Sequence, residues 1–309
     1  MPYDLKNPLV IGISSRALFD LETENRIFEE EGLAAYEDYQ VLHEKDVLPR
    51  GPAFPLVRAF LELNSLQKDR LVEVIIMSRN SPNTSLRIFN SIDHYGLDIT
   101  RAALTGGAPT APYLKPFETD LFLSAHRADV QDAVNSGIAA GMILQCSAPD
   151  RAPTDQIRIA FDGDAVLFAS DSERIYQLEG LDAFAEHERT MADQPMEKGP
   201  FANFLMTIAH IHSRFADRES SPIRTALVTS RGVPAHERAI KTLRQWGVRV
   251  DEAFFLGGVK KQEVLSAFGA HIFFDDQPAH AEPASRYVPS AVVPYAEGQD
   301  PMSHYGYIP

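Results

Sequence analysis

Two carboxylates separated by one residue stand at the end of a short apolar segment near the middle of the chain. Asp162 and Asp164 follow directly on Ile157 to Phe161, a segment that is typical of a buried strand. In that position one carboxylate can attack a phosphorus atom, while the other protonates the leaving oxygen. The pair alone is a weak indication, because acidic residues in turns are usually solvated turn formers.

Three further polar groups follow apolar segments in the same half of the chain. Thr229-Ser230 ends a strand-like segment and precedes a helical pattern, where hydroxyls and backbone N–H groups can hold an anion. Lys260-Lys261 follows a glycine pair and begins the next helix, so one ammonium group can reach a phosphate. Asp275-Asp276 ends a third segment. With Asp162 and a backbone oxygen of residue 164, these carboxylates make an oxygen-rich site suited to Mg²⁺.

Short apolar segments alternate with amphipathic segments along the whole chain. Buried strands that alternate with helices predict an α/β fold with a parallel sheet covered on both faces. Right-handed crossovers then place the strand ends, and the polar groups that follow them, along one edge of each sheet. The predicted strands are Leu9 to Ile13, Val72 to Met77, Leu121 to Leu123, Ile157 to Phe161, Ala226 to Thr229 and His271 to Phe274.

The second half of the chain repeats the first at a spacing of about 150 residues. For example, Arg26-Ile27-Phe28 and Gly32-Leu33 keep the same register as Arg174-Ile175-Tyr176 and Gly180-Leu181. In the register of this repeat, every proposed chemical group is replaced: Asp162 by Ser14, Asp164 by Arg16, Thr229 by Met77, Lys261 by Thr110, and Asp275-Asp276 by Ser124-Ala125.

The repeat predicts an internal tandem duplication in which only the second half is active. Residues 1–148 form the degenerate, non-catalytic half and residues 149–309 the catalytic half, with the boundary in the proline-containing segment from Gln145 to Thr154. A second interpretation of the repeat is that the first half adds its strands to the second sheet and forms no separate domain.

An insertion much longer than an ordinary loop separates the first two strands of each half, at roughly residues 20–70 and 169–222. In the second insertion, helices predicted over Ser172–Met191 and Phe201–Phe215 form a cap over the strand ends. The cap carries four aromatic residues that could stack on a base, although aromatics at helical spacing are more often core: Tyr176, Phe184, Phe201 and Phe204.

The order of carboxylate pair, hydroxyl, lysine and carboxylate pair resembles the haloacid-dehalogenase-like (HAD-like) superfamily. Within it, the chain is similar to the cytosolic 5′-nucleotidases of the AMP-preferring type I group and their bacterial relatives. The stretches that carry this resemblance are IGISSRALFDLE, SRNSP, FNSI, FDGDAVLF and FFDDQ. The resemblance implies a HAD-like Rossmannoid sheet with a helical cap.

The resemblance also implies a role for each candidate residue. Asp162 corresponds to the nucleophile and Asp164 to the general acid and base, an acid that superfamily members displacing a halide lack. The phosphate-binding groups correspond to Thr229, Ser230 and Lys261, with Lys260 as the substitute lysine. The Mg²⁺ site corresponds to Asp162, Asp164, Asp275 and Asp276, with Asp276 favoured over Asp275 as the direct ligand.

The function that follows is Mg²⁺-dependent hydrolysis of nucleoside 5′-monophosphates to nucleoside and phosphate through an aspartyl-phosphate. The nucleotide as substrate rests on the resemblance alone. One alternative is a HAD-type phosphatase acting on another small phosphomonoester. Another is a non-catalytic sensor that only binds nucleotides, against which the intact set of chemical groups argues.

Composition limits the classes of partner. The formal charge of −14 argues against a nucleic acid polymer, whose backbone requires clustered lysine and arginine. No apolar run approaches the roughly 20 residues that span a bilayer, so no membrane partner is expected. The start of the chain lacks the features of a signal peptide, which indicates a cytoplasmic protein. A small nucleotide is the expected partner, and assembly into a homo-oligomer is left open.

Overall fold

Ten strands are present in the described residues of the computed structural model, which are 4–146, 156–215 and 221–300. The first half contains β1 (Leu9–Ile13), β2 (Val72–Ser78), β3 (Arg101–Leu104), β4 (Leu121–Ser124) and β5 (Ala139–Ile143). The second half contains β6 (Ile157–Phe161), β7 (Ile223–Thr229), β8 (Glu252–Phe255), β9 (Ile272–Asp275) and β10 (Ser290–Val292). All six predicted strands are confirmed, and four were missed: β3, β5, β8 and β10.

Helices connect the strands on both sides of the chain midpoint. In the first half they are α1 (Ser15–Leu18), α2 (Glu22–Glu31), α3 (Leu33–Leu42), α4 (Phe54–Glu62), α5 (Leu86–His94), α6 (Ala111–Leu114) and α7 (Arg127–Asn135). In the second they are α8 (Asp171–Glu179), α9 (Leu181–Thr190), α10 (Ala202–His212), α11 (His236–Gln245), α12 (Lys261–Phe268) and α13 (Pro278–Ala284). None of these described helices has the length and apolar character needed to cross a membrane.

All ten strands belong to one sheet, in the order β3-β2-β1-β4-β5-β10-β9-β6-β7-β8. Each half therefore has the same internal order, and every ladder is parallel except the one between β5 and β10. That ladder is antiparallel and pairs Ala291 with Ile143 and Val292 with Met142. The strands of the two halves therefore run in opposite directions. Their carboxyl-terminal ends lie at opposite edges of the sheet, where an edge is the line formed by the strand ends and not an outermost strand. The predicted boundary falls mostly on residues 147–154, outside the described residues.

Each long insertion begins with two helices that are separated by a glycine, and a third helix follows them, α4 in the first insertion and α10 in the second. Gly32 separates α2 from α3 at φ +89°, and Gly180 separates α8 from α9 at φ +86°, a conformation that favours glycine. The helical stretch predicted over Ser172–Met191 is confirmed, but Gly180 divides it into two helices, α8 and α9. The helix predicted over Phe201–Phe215 is confirmed as the shorter α10, which packs against β1 of the other half.

The strand register corrects one position in the repeat. Leu9 pairs with Val72, and its equivalent Ile157 pairs with Ile223, so the counterpart of Thr229 is Ser78. Hydrogen bonds agree with this register: the Asn80 N–H donates to Ser78 Oγ over 3.1 Å, as the Arg231 N–H donates to Thr229 Oγ1 over 3.2 Å. The prediction that Met77 replaces Thr229 was wrong, and the first half retains a hydroxyl here.

Candidate active site

Asp162 lies directly beyond the last residue of β6, at the edge of the sheet. Its backbone N–H donates to the carbonyl of Phe274 in β9 over 2.8 Å, which continues the sheet pairing and positions the residue. Its carboxylate Oδ1 accepts hydrogen bonds from the Gly163 N–H at 2.7 Å and lies 3.0 Å from Lys261 Nζ. The side chain is almost fully buried, so the carboxylate at this strand end lies in a site with little access to water.

Lys261 at the start of α12 joins two carboxylates. Its Nζ lies 3.0 Å from Asp162 and 2.7 Å from Asp275, and its side chain is 4% exposed. Burial alone would lower the pKa of Lys261, but the two carboxylates outweigh burial and raise it. Lys260 is exposed to solvent. The structure therefore brings Lys261, and not the substitute lysine, to the candidate nucleophile.

The two carboxylates at the end of β9, Asp275 and Asp276, differ in how they are neutralised. Asp275 Oδ1 accepts the Gln277 N–H at 2.9 Å, and its other oxygen pairs with Lys261. Burial opposes ionisation of Asp275, yet Lys261 lowers its pKa overall. Asp276 accepts a short hydrogen bond from the hydroxyl of Tyr295 on one oxygen, while its buried Oδ1 has no hydrogen-bond partner within the described ranges.

The site holds more buried carboxylates than cations, which fits a divalent metal ion. Burial raises the pKa of Asp162 to about 7, with Lys261 opposing the shift and Asp275 adding to it. Burial, together with the charges of Asp162 and Asp275, raises the pKa of Asp276 to about 9. Oxygen atoms of clustered carboxylates are the ligands that Mg²⁺ prefers. Three potential ligand atoms, one from each of Asp162, Asp275 and His280, also lie within 4.8 Å of one another.

Asp164 is close to Asp162 in sequence but faces a different partner. The guanidinium of Arg231 donates to Asp164 Oδ2 from Nε at 2.8 Å and to Oδ1 from Nη2 at 2.5 Å. Arg231 also pairs with Glu188 of α9, which in turn accepts hydrogen bonds from Arg238 at 2.8 Å and Ser172 at 2.7 Å. Both oxygens of Asp164 are thus occupied, and the residue is tied to the helix pair of the insertion.

Thr229 and Ser230 lie at the end of the neighbouring strand, β7. Thr229 is 1% exposed and lies next to the turn after Asp162, since a Cβ atom added to Gly163 would lie 3.2 Å from Thr229 Oγ1. Ser230 is exposed. The structure therefore places Thr229 beside the carboxylates, while Ser230 stands at the solvent side of the same strand end.

Four residues of this site were not found by sequence reasoning. Arg231 could have been suspected, since it follows Thr229 by two residues and repeats as a basic residue near the equivalent strand end. Glu188, Tyr295 and His280 carried no local signal, because they reach the site from a helix of the insertion, the segment after β10 and α13.

The aromatic residues of the insertion divide into core and surface. Phe201 and Phe204 are buried and pack on Phe161, so they belong to the core. Tyr176 is 48% exposed and meets Phe184 edge to face, with ring centroids 6.1 Å apart. Of the four aromatics proposed for base contact, only Tyr176 is exposed, since Phe184 is 8% exposed and its ring lies 5.3 Å from the Arg231 guanidinium.

Comparison with known proteins gives one consistent relationship. A sequence model of the 5′-nucleotidase family matches residues 1–300. Cytosolic 5′-nucleotidase 1B of Homo sapiens is 39% identical over 292 residues, 91% of this chain and 48% of that protein. The chain thus spans about half the length of this curated relative. Histidinol dehydrogenase of Elizabethkingia anophelis, a solved structure, covers 95% of this chain and 54% of its own, with 11% identity and a TM-score of 0.22, which supports no conclusion.

Proposed function

Because the chain belongs to the 5′-nucleotidase family, we propose that it hydrolyses nucleoside 5′-monophosphates to nucleoside and phosphate. The observation that carries this proposal is the contact of Asp162 with Lys261 at 3.0 Å in a buried site, with Asp164 two residues further on. A buried carboxylate beside an ammonium group is suited to attack a phosphoryl group whose oxygens the ammonium binds.

We also propose a HAD-like fold that arose by tandem duplication. The identical strand order of the two halves supports it, as do the equivalent glycine breaks at Gly32 and Gly180. The first half, residues 1–148, lacks the carboxylates and the lysine of residues 149–309, so we assign catalysis to the second half. The name of the human relative further suggests a cytoplasmic location.

Mg²⁺ would be held by Asp162, Asp276 and the main-chain oxygen of Asp164. Asp276 has a buried oxygen that receives no hydrogen bond from the described part of the chain, whereas Lys261 already neutralises Asp275. This difference favours Asp276 as the direct ligand and leaves Asp275 to position the lysine. When bound, the ion would offset negative charge on the phosphoryl oxygens and on these carboxylates.

Each candidate residue has a separate role in the proposed reaction. A carboxylate oxygen of Asp162 forms a bond to phosphorus while the bond from phosphorus to the 5′ oxygen breaks. Asp164 gives that departing oxygen its proton, and later takes a proton from the water that hydrolyses the aspartyl-phosphate. Lys261 and the groups near Thr229 bind the phosphoryl oxygens. In the structure both oxygens of Asp164 accept hydrogen bonds from Arg231, so this contact must open before Asp164 can reach the 5′ oxygen.

Phosphate release from a panel of nucleotides and other phosphomonoesters, with Mg²⁺ or with EDTA, tests the proposal. We expect Asp162→Asn to lose activity by about 10³-fold or more, and the exposed control Asp182→Asn to retain it. Borohydride reduction of the enzyme during turnover should convert residue 162 to homoserine, detectable by mass spectrometry. Activity that survives in Asp162→Asn would refute the nucleophile, and preference for a phosphate ester without a base would favour the general phosphatase.

A further inference from the structure

A cavity of about 450 Å³ opens in the first half, at the ends of β1, β2 and β4. Because the two halves are joined antiparallel, this edge lies opposite the edge that carries Asp162. The strand ends contribute Ser14, Ser78 and Ser124, and the helix pair α2–α3 contributes Phe28 and Tyr36. The volume lies within the range of about 300–1,000 Å³ that is usual for small-molecule pockets.

Three polar residues of the first half replace the ion cluster of the second half. Arg16 stands at the position of Asp164, Asn80 at that of Arg231 and Gln40 at that of Glu188. Backbone hydrogen bonds support this equivalence: the Gly106 N–H donates to the Asn80 carbonyl over 3.1 Å, as the Gly257 N–H donates to that of Arg231 over 3.3 Å.

Each of the three replacing residues keeps one buried polar atom without a hydrogen-bond partner in the described structure: Arg16 Nε, Asn80 Nδ2 and Gln40 Oε1. Arg16 and Asn80 line the cavity, and Gln40 donates through Nε2 to the Tyr36 hydroxyl at 3.1 Å. Buried donors that lack a partner cost free energy, so a ligand with acceptor atoms would be stabilised here.

An aromatic pair lines the same cavity. Phe28 and Tyr36 meet edge to face with ring centroids 6.0 Å apart, and their counterparts Tyr176 and Phe184 meet in the same way at 6.1 Å. Phe28 is 48% exposed, so its ring has a free face. A cavity that combines aromatic rings with hydrogen-bond donors is suited to a planar heteroaromatic ring.

The charges around the cavity favour a neutral ligand over a phosphate. Of the two arginines that line it, Arg16 pairs with Glu22 at 2.8 Å, and Arg79 donates from Nε to Asp129 at 2.6 Å. Three carboxylates line it as well, and the position of Lys261 is held by the neutral Thr110. Among the described residues of this lining, both arginines already have a carboxylate partner, so a phosphate group would meet no uncompensated arginine.

We propose that the cavity of the first half binds a neutral nucleoside, with its base against Phe28 and Tyr36 and its acceptor atoms facing Arg16 and Asn80. The choice of a nucleoside among neutral heteroaromatic molecules rests on the proposed function, which releases nucleosides as products. The site is distinct from the one that carries Asp162, since it lies at the opposite edge of the sheet.

Photolabelling of the Mg²⁺-loaded full chain with 8-azidoadenosine, followed by peptide mapping, locates the bound base. We expect a label within residues 22–42 that adenosine suppresses and inorganic phosphate does not. A label confined to residues 171–190 would overturn the proposal, as would the absence of any label that adenosine suppresses. Stronger suppression by AMP than by adenosine at residues 22–42 would overturn the assignment of a neutral ligand.

Three variants make the test independent of folding and of catalysis. Phe28→Ala and Asn80→Ala should each raise the adenosine concentration needed for suppression by about five- to tenfold, whereas Leu42→Ala, on the exposed side of the same helix pair, should not. Asp162→Asn should label residues 22–42 as the wild type does, even if no nucleotide is hydrolysed. Wild-type behaviour of both Phe28→Ala and Asn80→Ala, with unchanged melting temperatures, would refute the site.

Discussion

Arg231 holds both carboxylate oxygens of Asp164, at 2.8 Å from Nε and 2.5 Å from Nη2, and its side chain is 1% exposed. The same guanidinium pairs with Glu188 in α9. Burial by itself would lower the pKa of Arg231, but the two carboxylates raise it. The acid that the proposed reaction requires is therefore connected to α9 of the insertion through Arg231.

Removal of the Arg231 charge should destabilise the protein strongly. In Arg231→Met, Asp164 loses its cation, and Glu188 loses its contact with Arg231 while it keeps those with Arg238 and Ser172. We expect the free energy of unfolding to fall by about 3–5 kcal/mol, the range for breaking a buried ion pair from one side. Urea denaturation followed by circular dichroism measures this change.

Two comparisons make the Arg231 measurement specific. Arg244→Met, which removes an exposed arginine, should change the free energy of unfolding by less than about 0.5 kcal/mol. The double variant Arg231→Met/Glu188→Gln should lose less free energy of unfolding than the sum of the losses in the two single variants, because both single changes remove the same ion pair. Full additivity would show that the two side chains do not depend on each other.

The neighbouring lysines should differ sharply in their contribution to activity. Lys261→Met leaves Asp162 and Asp275 without their shared cation and should lower kcat/KM for the nucleotide by about 10²–10³-fold. Lys260→Met changes an exposed side chain and should leave kcat/KM nearly unchanged. Equal losses in the two variants would contradict the assignment of Lys261.

Mg²⁺ should stabilise the protein more at high pH than at low pH. In the metal-free state the pKa of Asp162 is raised to about 7 and that of Asp276 to about 9, so the folded chain keeps protons that the unfolded chain releases. These two groups therefore reduce stability as pH rises from about 4 to 9, and Mg²⁺, which competes with the protons, should restore it.

Melting temperatures with and without Mg²⁺ at pH 5.5 and pH 8.5 measure this dependence, in KCl of matched ionic strength. The shift caused by Mg²⁺ should be larger at pH 8.5 and should shrink in Asp276→Asn, which removes one charge. A shift of the same size at both pH values would argue against binding of Mg²⁺ to these carboxylates.

Gly199 should not tolerate a side chain. Its N–H donates to the Leu167 carbonyl over 2.8 Å, and a Cβ atom there would lie 2.5 Å from the carbonyl oxygens of Val166 and Phe168. We expect Gly199→Ala to lower the free energy of unfolding by about 1–3 kcal/mol, since backbone must move to make room. The exposed Asn203→Ala should have little effect, and a neutral Gly199→Ala would show that the chain relaxes easily here.

Much of the α/β arrangement could be predicted from local sequence. The six predicted strands are confirmed because each is mostly apolar and almost fully buried, although β2 contains Glu73 and β6 contains Arg158. The missed strands β3 and β8 lie at the edges of the sheet and are half-exposed, so their apolar pattern is weaker. The helical stretch over Ser172–Met191 was predicted without the break at Gly180, because a single glycine in a helical pattern does not by itself indicate a positive φ.

The sequence by itself determined which groups stand at strand ends, because a polar residue after an apolar run is a property of neighbouring residues. Asp162, Thr229 and Asp275 were placed in this way. Only the tertiary structure decided that Lys261 and not Lys260 meets Asp162, that Arg231 holds Asp164, and that β5 joins β10 antiparallel. These depend on helix rotation and on packing between residues far apart in the chain, which local patterns do not contain.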